Sequence, residues 1–306
     1  MLSHTLIFRA HSSSRYSIAA LMGAIETDHR LVELDVKAPI AFSMRELREC
    51  VERGPTILAH SVMSTQTERV YREVHRVRAK FGDDIIIVGG GAHASARPSE
   101  LLENGFDYVV VGEGEKAFTE LVYDLMNNKD SIDIPGVVNG QTMDFPRPRD
   151  LPYIDLDKYP PFALGMNILG PVEVTRGCPY SCKFCCTPFL TGGRVRHRSV
   201  ETVVEWLERA VEMSGFDRTW FLSPNALSYG SRGGRTTEPE KIEHLLRAAT
   251  RVEGLKEVYF GSFPSEVRPE FVGEPLLEMM KSFVANKTLQ IGLQSASDRV
   301  LKMINR

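Results

Sequence analysis

The most constraining feature of this 306-residue sequence is a regular alternation of short apolar runs with amphipathic segments over residues 4–127. The apolar runs predict strands, and the last two are rich in β-branched residues, which suits burial on both faces. The predicted strands are His4–Phe8, Leu31–Asp35, Pro55–Ser61, Asp84–Val88 and Asp107–Val111. The predicted helices are Arg15–Glu26, Met44–Glu52, Thr65–Phe81, Pro98–Asn104 and Glu115–Asn127. Such β-α repeats imply an α/β fold with a parallel sheet, for which we expect the flavodoxin-like strand order 2-1-3-4-5.

A proline-rich stretch interrupts this alternation. Residues 131–171 hold seven of the chain's 17 prolines and show no sustained periodicity, which predicts a linker between a domain at 1–130 and a second domain at 172–306. The second domain again alternates strands with helices. Its predicted strands are Val172–Thr175, Thr219–Leu222, Glu257–Gly261 and Thr288–Gly292, and its predicted helices are Val200–Met213, Glu238–Val252, Pro275–Phe283 and Ser297–Ile304.

The overall charge excludes some classes of function. Lys and Arg together number 37 against 40 Asp and Glu, so there is no basic field of the kind that concentrates nucleic acid, and the sequence gives no clear nucleic-acid signal. No apolar run approaches the roughly 18 residues of a membrane span. The N-terminal residues 1–8 are too short and polar for a signal peptide, so we expect a cytoplasmic protein.

Four of the five cysteines fall within nine residues, in the order Cys178, Cys182, Cys185 and Cys186. In a reducing compartment such a cluster indicates metal or redox chemistry more than disulfides. Soft thiolate ligands favour iron–sulfur or zinc. Three thiolates on a [4Fe–4S] cluster would leave one iron with an open position, where a substrate or cofactor can coordinate.

Two other interpretations of the cysteines exist. A zinc knuckle could recruit His197 as a fourth ligand, although zinc sites usually show paired C-x2-C groups and this chain has no second pair. A redox pair at Cys185 and Cys186 is disfavoured because adjacent cysteines are geometrically poor at bridging. Cys186 alone is best explained as a small residue packed under the loop.

The cysteine loop resembles that of the radical S-adenosylmethionine (radical SAM) superfamily. Cys178, Cys182 and Cys185, with Phe184 immediately before the third cysteine, match its C-x3-C-x-aromatic-C motif. The resemblance implies a TIM-type (β/α) barrel and a [4Fe–4S] cluster held by the three cysteines, whose fourth iron chelates S-adenosylmethionine. Reductive cleavage of that sulfonium releases a 5′-deoxyadenosyl radical. The resemblance also implies a low-potential electron donor such as ferredoxin or flavodoxin.

The same resemblance assigns further contacts to S-adenosylmethionine. Phe184 would lie by the adenine, and polar residues would follow two of the barrel strands. These are Ser223 and Asn225 after the second strand and Gln294 and Ser295 after the fourth. Ligand groups at the carboxyl ends of strands are what a β/α barrel requires. Taken singly, Asn225 is equally well explained as a turn residue and Gln294 as a strand-end cap.

The first domain resembles the cobalamin-binding domain that is often fused in front of radical SAM barrels. Ser61 and the pair Gly90 and Gly91 match its serine and Gly-Gly segments, and His11 falls at its histidine position. Arg9, however, replaces the acid that would orient that histidine, and Ser14 replaces a glycine. Either cobalamin binds without histidine ligation, or the domain has kept the fold and lost the ligand. Residues 11–14 are also explained as a polar helix start.

These observations predict a radical SAM enzyme, with cobalamin-dependent methyl transfer to an unactivated carbon as the expected chemistry. A methylthiotransferase-like radical SAM enzyme acting on RNA or protein is a rival, but it would carry three further cysteines in the first domain, where only Cys50 lies. A non-catalytic corrinoid- or cluster-binding sensor or assembly partner is another. The substrate is not evident from the sequence.

The length of the second domain predicts an incomplete barrel. Residues 172–306 accommodate about four β-α units at roughly 30 residues each, whereas the resemblance implies six. We therefore expect a truncated chain, or one completed by a partner, with impaired activity on its own.

Overall fold

The computed structural model describes residues 4–10, 14–129 and 131–306. Contacts divide the chain into two compact units, Met1–Ile154 and Asp155–Arg306. The division falls inside the proline-rich stretch, whose first part contributes a strand to the first unit and whose second part packs within the second.

The first unit is built on a sheet of six strands in the order β2-β1-β3-β4-β5-β6. The strands are β1 (Thr5–Arg9), β2 (Asp35–Lys37), β3 (Thr56–Ser61), β4 (Ile85–Gly90), β5 (Tyr108–Val110) and β6 (Val137–Asn139). The first five are parallel and confirm the predicted flavodoxin-like order. The sixth pairs antiparallel with β5 and comes from the stretch that was predicted to be a linker.

Helices cover both faces of this sheet. They are α1 (Arg15–Thr27), α2 (Met44–Arg53), α3 (Thr67–Phe81), α4 (Ala92–Ala96), α5 (Pro98–Glu103) and α6 (Gly114–Met126). On one face, Val70, Val74 and Val77 repeat at helical spacing along α3 and belong to the same buried cluster as Ile7 of β1. The next residue, Phe8, points to the opposite face and meets Phe118 of α6 edge to face at 5.8 Å. Adjacent residues of β1 thus serve two separate helical layers.

The second predicted strand was placed too early in the sequence. Residues His29–Leu31 form a 3-10 turn, because the carboxylate of Asp28 accepts a hydrogen bond from the backbone N–H of Arg30 at 2.9 Å. The strand itself begins only at Asp35. The apolar residues Leu31 and Leu34 that suggested a strand are buried in the turn and in the segment that follows it.

The second unit contains a three-stranded parallel sheet of order β11-β10-β7 and a separate antiparallel pair of β8 with β9. The strands are β7 (Val172–Glu173), β8 (Thr175–Arg176), β9 (Arg196–His197), β10 (Arg218–Leu222) and β11 (Glu257–Tyr259). The single strand predicted at Val172–Thr175 is therefore two short strands that serve different sheets. The backbone N–H of Val174 between them donates to Leu222 of β10, while its carbonyl accepts from Arg198.

The helices of the second unit are α7 (Thr187–Thr191), α8 (Val200–Ser214), α9 (Pro239–Ala249), α10 (Glu274–Lys281) and α11 (Asp298–Met303). Aromatic contacts form much of its core. Phe221 of β10 meets Phe260 just after β11 edge to face at 6.2 Å. Phe162, from the proline-rich stretch, meets Trp206 of α8 in the same way at 6.2 Å. Residues 155–171 thus belong to this core.

The predicted fourth strand, Thr288–Gly292, was wrong. Only one bridge forms there, between Ile291 and Val267, although Gln290 exchanges backbone hydrogen bonds with both Gly261 and Val267. Most of the segment is exposed, and a strand gains most of its stability from side chains packed against neighbours. Among the described residues, no helix has both the length and the apolar character needed to cross a membrane.

Candidate cofactor sites

The cysteine loop leaves β8 through a glycine that the backbone requires. Gly177 has φ of +91°, a value that favours glycine. A Cβ at this position would also overlap the carbonyl oxygen of Arg194, the residue two before β9. Gly177 therefore allows the chain to turn sharply out of β8, so that Cys178 is the first residue of the loop.

Backbone hydrogen bonds hold the loop in place. The N–H of Cys178 donates to Gly192 at 3.1 Å, and the N–H of Cys185 donates to Cys182 at 3.0 Å. Farther along the chain, the N–H of Lys183 donates to the carbonyl of Ile304 at 2.9 Å. The side-chain amide of Asn305 donates to both the carbonyl and the hydroxyl of Ser181. Both residues that flank Cys182 are thus fastened to the segment that follows α11.

The three motif cysteines differ in exposure but interact electrostatically. Cys182 is buried, Cys178 is half-buried and Cys185 is exposed. Cys186 is exposed too, so the prediction that it packs under the loop was wrong. Burial raises the pKa of the Cys178 thiol, and the neighbouring sulfurs of Cys185 and Cys182 raise it further. The three sulfurs are thus near enough to influence one another's charge, but no three His, Cys, Asp or Glu side chains among the described residues converge on one metal position. Their ligation of one cluster stays a prediction.

A cation lies directly against this loop, at a position where the sequence did not predict a contact. Nη1 of Arg268 donates to Sγ of Cys182 at 3.9 Å. The guanidinium of Arg268 also lies 3.8 Å from the ring centroid of Tyr180, inside the loop. Arg268 lies on the segment that follows β11, and the family resemblance assigned it no contact with the cysteines.

Two residues proposed as S-adenosylmethionine contacts follow β10 and are deeply buried: Ser223 is 2% exposed and Asn225 is 4% exposed. The Oδ1 of Asn225 accepts from the backbone N–H of Arg268 at 3.2 Å, which fixes which end of the amide is oxygen. Its Nδ2 is buried and has no hydrogen-bond acceptor among the described residues. A buried donor of this kind fits a ligand that supplies an acceptor, such as a carboxylate.

The zinc interpretation needs His197 as a fourth ligand, and the contacts of His197 oppose that role. Both ring nitrogens of His197 are engaged, Nδ1 with the hydroxyl of Thr175 at 3.0 Å and Nε2 with the carbonyl of Ser231 at 2.9 Å. His197 therefore ties β9 to its neighbours and is not oriented as a metal ligand.

The remaining residues predicted for this site are more exposed. Phe184 is 51% exposed. Gln294 is exposed, and the hydroxyl of Ser295 accepts from the backbone N–H of Ser297 at the start of α11. The structure does not bring these three side chains into a buried arrangement with the cysteines. Their contacts to S-adenosylmethionine stay predictions.

In the first unit, the residues proposed for cobalamin meet at the carboxyl edge of β3 and β4. Ser61 and Gly90 are register partners. Gly91 has φ of +94°, and a Cβ there would lie 2.9 Å from Oγ of Ser61 and 3.0 Å from the nitrogen of Val62. A Cβ at Gly90 would have no neighbour closer than 3.8 Å. Gly91 thus allows two backbones to approach closely, while the missing side chain at Gly90 leaves open space at the same edge, which fits the entry of a cofactor tail.

A polar network that the sequence did not predict supports this edge. The N–H of His93 donates to the carbonyl of Val62 at 2.9 Å, and its ring contacts Ser64 at 3.0 Å and Tyr71 at 3.2 Å. Tyr71 donates in turn to Glu100 at 3.1 Å. His93 thereby links the ends of β3 and β4 to α3 and α5.

The loop after β1 has a different arrangement from the cobalamin motif it resembles. Nε of Arg9 donates to Oε1 of Glu73 on α3 at 3.0 Å, and both side chains are largely buried. Arg9 therefore occupies the position of the expected acid with a cation that is already paired. His11, the predicted histidine, lies outside the described residues.

Comparison with protein families accounts for both sites. Residues 8–122 match the model of the B12 binding domain, and residues 172–306 match the model of the radical SAM superfamily. This chain joins a B12-binding domain to a radical SAM domain. The radical SAM match implies a [4Fe–4S] cluster and S-adenosylmethionine, which the three cysteines and the buried Asn225 amide fit. The B12-binding match implies cobalamin, which the edge formed by Ser61, Gly90 and Gly91 fits.

Individual relatives agree with this assignment. An uncharacterized methyltransferase of Pyrococcus horikoshii is 30% identical over 250 residues, which are 76% of this chain and 50% of that protein. The tRNA-2-methylthio-N(6)-dimethylallyladenosine synthase of Thermotoga petrophila is 24% identical over 248 residues, 80% of this chain and 51% of the synthase. The chain thus spans about half the length of these curated relatives.

The fold is also similar to that of a solved structure. The cobalamin-dependent S-adenosylmethionine radical enzyme OxsB, with aqua-cobalamin and S-adenosylmethionine bound, aligns with a TM-score of 0.73. The alignment covers 99% of this chain and 45% of OxsB at 16% sequence identity. At that identity the likeness shows the fold alone.

Proposed function

We propose that this protein is a radical SAM enzyme that reductively cleaves S-adenosylmethionine. Cys178, Cys182 and Cys185 hold the [4Fe–4S] cluster. When bound, the cluster supplies the single electron that breaks the sulfonium bond. The observation that carries the proposal is a run of contacts in the second unit, from Cys182 through Arg268 to Asn225, whose buried amide donor has no acceptor among the described residues.

The residues of the site have separate roles in this proposal. The Nδ2 of Asn225 donates to S-adenosylmethionine. The backbone N–H of Arg268 fixes the orientation of this amide by donating to its Oδ1. Burial of Asn225 and Ser223 excludes water from this contact, which strengthens a hydrogen bond to a charged group. Phe184, Gln294 and Ser295 are proposed as further contacts on more exposed segments.

We further propose that the first unit binds cobalamin and that the reaction is methyl transfer to an unactivated carbon. The open space at Gly90, at an edge where Gly91 lets the ends of β3 and β4 approach closely, supports binding of the cofactor there. The pairing of Arg9 with Glu73 supports cobalamin binding without histidine ligation, because Arg9 offers no carboxylate to orient an imidazole.

The proposed chemistry implies a partner and a compartment. A low-potential electron donor such as ferredoxin or flavodoxin would reduce the cluster. Thiolate-held clusters and free cysteines are suited to a reducing cytoplasm, which is the location that we propose.

Anaerobic reconstitution of the 306-residue chain with iron and sulfide tests the proposal. We expect about four irons per chain and formation of 5′-deoxyadenosine on reduction in the presence of S-adenosylmethionine. Cys185→Ala is expected to lose both the bound iron and the formation of 5′-deoxyadenosine. Cys186→Ala is the matched control, since Cys186 is the adjacent exposed cysteine outside the motif and should keep both. Equal iron content in the two variants would contradict the assignment of ligands.

A methylthiotransferase-like activity is the second candidate, since the Thermotoga petrophila synthase aligns with 80% of this chain. The first unit speaks against it. Cys50 is the single cysteine in residues 1–130, and three would be needed for a second cluster. An iron content near eight per chain would favour this candidate over the first.

Product formation distinguishes a non-catalytic sensor or assembly partner from the two enzyme candidates. A fully reconstituted and reduced sample that binds S-adenosylmethionine but forms no 5′-deoxyadenosine would favour that interpretation.

A further inference from the structure

Arg268 places a permanent positive charge beside one of the three cluster cysteines. Its side chain is 13% exposed and Cys182 is 7% exposed, so their contact at 3.9 Å is largely shielded from water. A guanidinium stays protonated at all physiological pH values. The site therefore has a fixed charge that is present whether or not the cluster is reduced.

Several contacts hold this guanidinium in place. Its flat face covers the ring of Tyr180, and its Nε donates to the carboxylate of Glu270 at 2.5 Å. Its backbone N–H is bonded to Asn225, so the main chain is anchored as well. One arginine thus contacts the loop at a ligand sulfur and at the ring between two ligands.

A fixed positive charge has a predictable effect on a cluster held by these cysteines. One-electron reduction adds a negative charge to the cluster and its thiolates. A nearby cation stabilises the reduced state more than the oxidised state, and an N–H···S hydrogen bond acts in the same direction. Both effects raise the reduction potential. Screening by solvent is weak here because the two groups are largely buried.

We propose that Arg268 is a positioning residue that acts through Cys182 to set the reduction potential of the cluster, with Glu270 as the counter-charge that moderates it. This inference rests on the proposed ligation of the cluster by the three cysteines. Removal of Arg268 lowers the potential, and removal of Glu270 raises it, because the carboxylate no longer offsets the guanidinium.

The chain offers a matched control in Arg235. Its guanidinium also lies over the Tyr180 ring, at 4.9 Å, but its hydrogen bond goes to the carbonyl of Pro179. Arg235 is exposed to solvent. Arg235→Gln removes the same unit of charge as Arg268→Gln, without removing a contact to sulfur.

The test is a redox titration of the reconstituted chain, followed by electron paramagnetic resonance of the reduced cluster. Arg268→Gln is expected to lower the equilibrium constant for reduction about tenfold, which is about 59 mV for a one-electron couple. Glu270→Gln should shift the potential upwards. Arg268→Lys should recover part of the wild-type potential, since the charge returns without the planar fork, and Arg235→Gln should match the wild type.

The outcomes distinguish this inference from the function on which it rests. A wild-type chain that assembles no cluster contradicts the proposed function. A cluster that forms with the same potential in wild type, Arg268→Gln and Glu270→Gln overturns the role of Arg268. Equal shifts in Arg268→Gln and Arg235→Gln also overturn it, since they would reflect net charge alone. If Arg268→Gln fails to assemble a cluster, Glu270→Gln tests the inference by itself: a higher reduction potential supports it, and an unchanged potential overturns it.

Discussion

The two units build their candidate sites by different means. In the first, β3 and β4 are six residues each and pair along their full length, and the site is the backbone at their carboxyl edge. In the second, β7 and β8 have two residues each, and the site is a loop beyond them. The cysteine loop is held instead by polar ties from distant segments, including Asn305 to Ser181 and Arg268 to Cys182.

This difference predicts which kinds of substitution should disturb each site. A site made by strand register tolerates surface changes but not added volume, because the ladder fixes both backbones. A site on a fastened loop depends on individual glycines, amides and charges that hold the loop. Added volume should therefore disturb both sites, whereas changes of a single amide or charge should disturb mainly the second.

Gly177→Ala should have the largest effect, and it tests whether the cysteine loop depends on its turn glycine. The positive φ and the overlap with the Arg194 carbonyl should destabilise the loop by at least about 2 kcal/mol. We expect a large loss of iron on reconstitution, measured by iron analysis.

Gly193→Ala is the control in the same loop, since a Cβ there would have no neighbour closer than 3.9 Å. Iron content in Gly177→Ala equal to that in Gly193→Ala would show that the turn out of β8 is not needed to place Cys178.

Gly91→Ala should have the next largest effect, confined to the first unit. The variant forces a Cβ to within 2.9 Å of Ser61 in a backbone region that is nearly restricted to glycine, at a cost of about 1–3 kcal/mol. Cobalamin binding, followed by absorbance during titration, should weaken strongly, and denaturant unfolding should report the loss of stability. Gly140→Ala, at a position with open space around it, should change neither. Normal cobalamin binding by Gly91→Ala would remove this edge from the proposed site.

Asn225→Asp is a smaller, chemical change in the second unit. It keeps the Oδ1 acceptor for the N–H of Arg268 but removes the Nδ2 donor. We expect binding of S-adenosylmethionine to the reconstituted chain to weaken by at least about tenfold, because the loss of one hydrogen bond to a charged group is joined by repulsion between two carboxylates. Calorimetry gives the affinity, and circular dichroism checks the fold. Unchanged affinity in a folded variant would mean that the buried donor serves no ligand.

The smallest effect concerns pH and His197. Burial lowers the pKa of this histidine below its usual 6.5, so the folded chain favours the neutral ring. Below about pH 6.5 the unfolded chain binds the proton more readily, and the contribution of His197 to stability is lost as the pH falls. Unfolding midpoints should therefore decrease between pH 7 and pH 5, and less so in His197→Gln. His244→Gln, at an exposed position on α9, should behave as the wild type.

Local patterns in the sequence predicted much of the fold. The β-branched runs gave β4 and β5 and the predicted strand order, because buried parallel strands need little beyond continuous apolar residues. The errors came where apolar residues do not belong to a strand. Leu31 and Leu34 are buried around a turn, and Thr288–Gly292 lacks the burial that would make it a strand.

The candidate sites show the same division. The spacing of Cys178, Cys182 and Cys185 was evident from the sequence, since a ligand motif on one loop is a local pattern. Arg268 was not, because it lies 86 residues from Cys182 and reaches it only when the ends of separate strands come together. His93 likewise joins Ser64 and Tyr71 through the packing of neighbouring elements.

By itself, the sequence determined the order of the two domains, the three-cysteine motif and the glycines that the backbone demands. The tertiary structure decided which charges and amides surround those residues, from the ion pair of Arg9 with Glu73 to the orientation of the Asn225 amide. The physical reason is that backbone conformation and ligand spacing are set by near neighbours in the chain. Hydrogen bonds and charge contacts depend on distances between residues that only folding brings together.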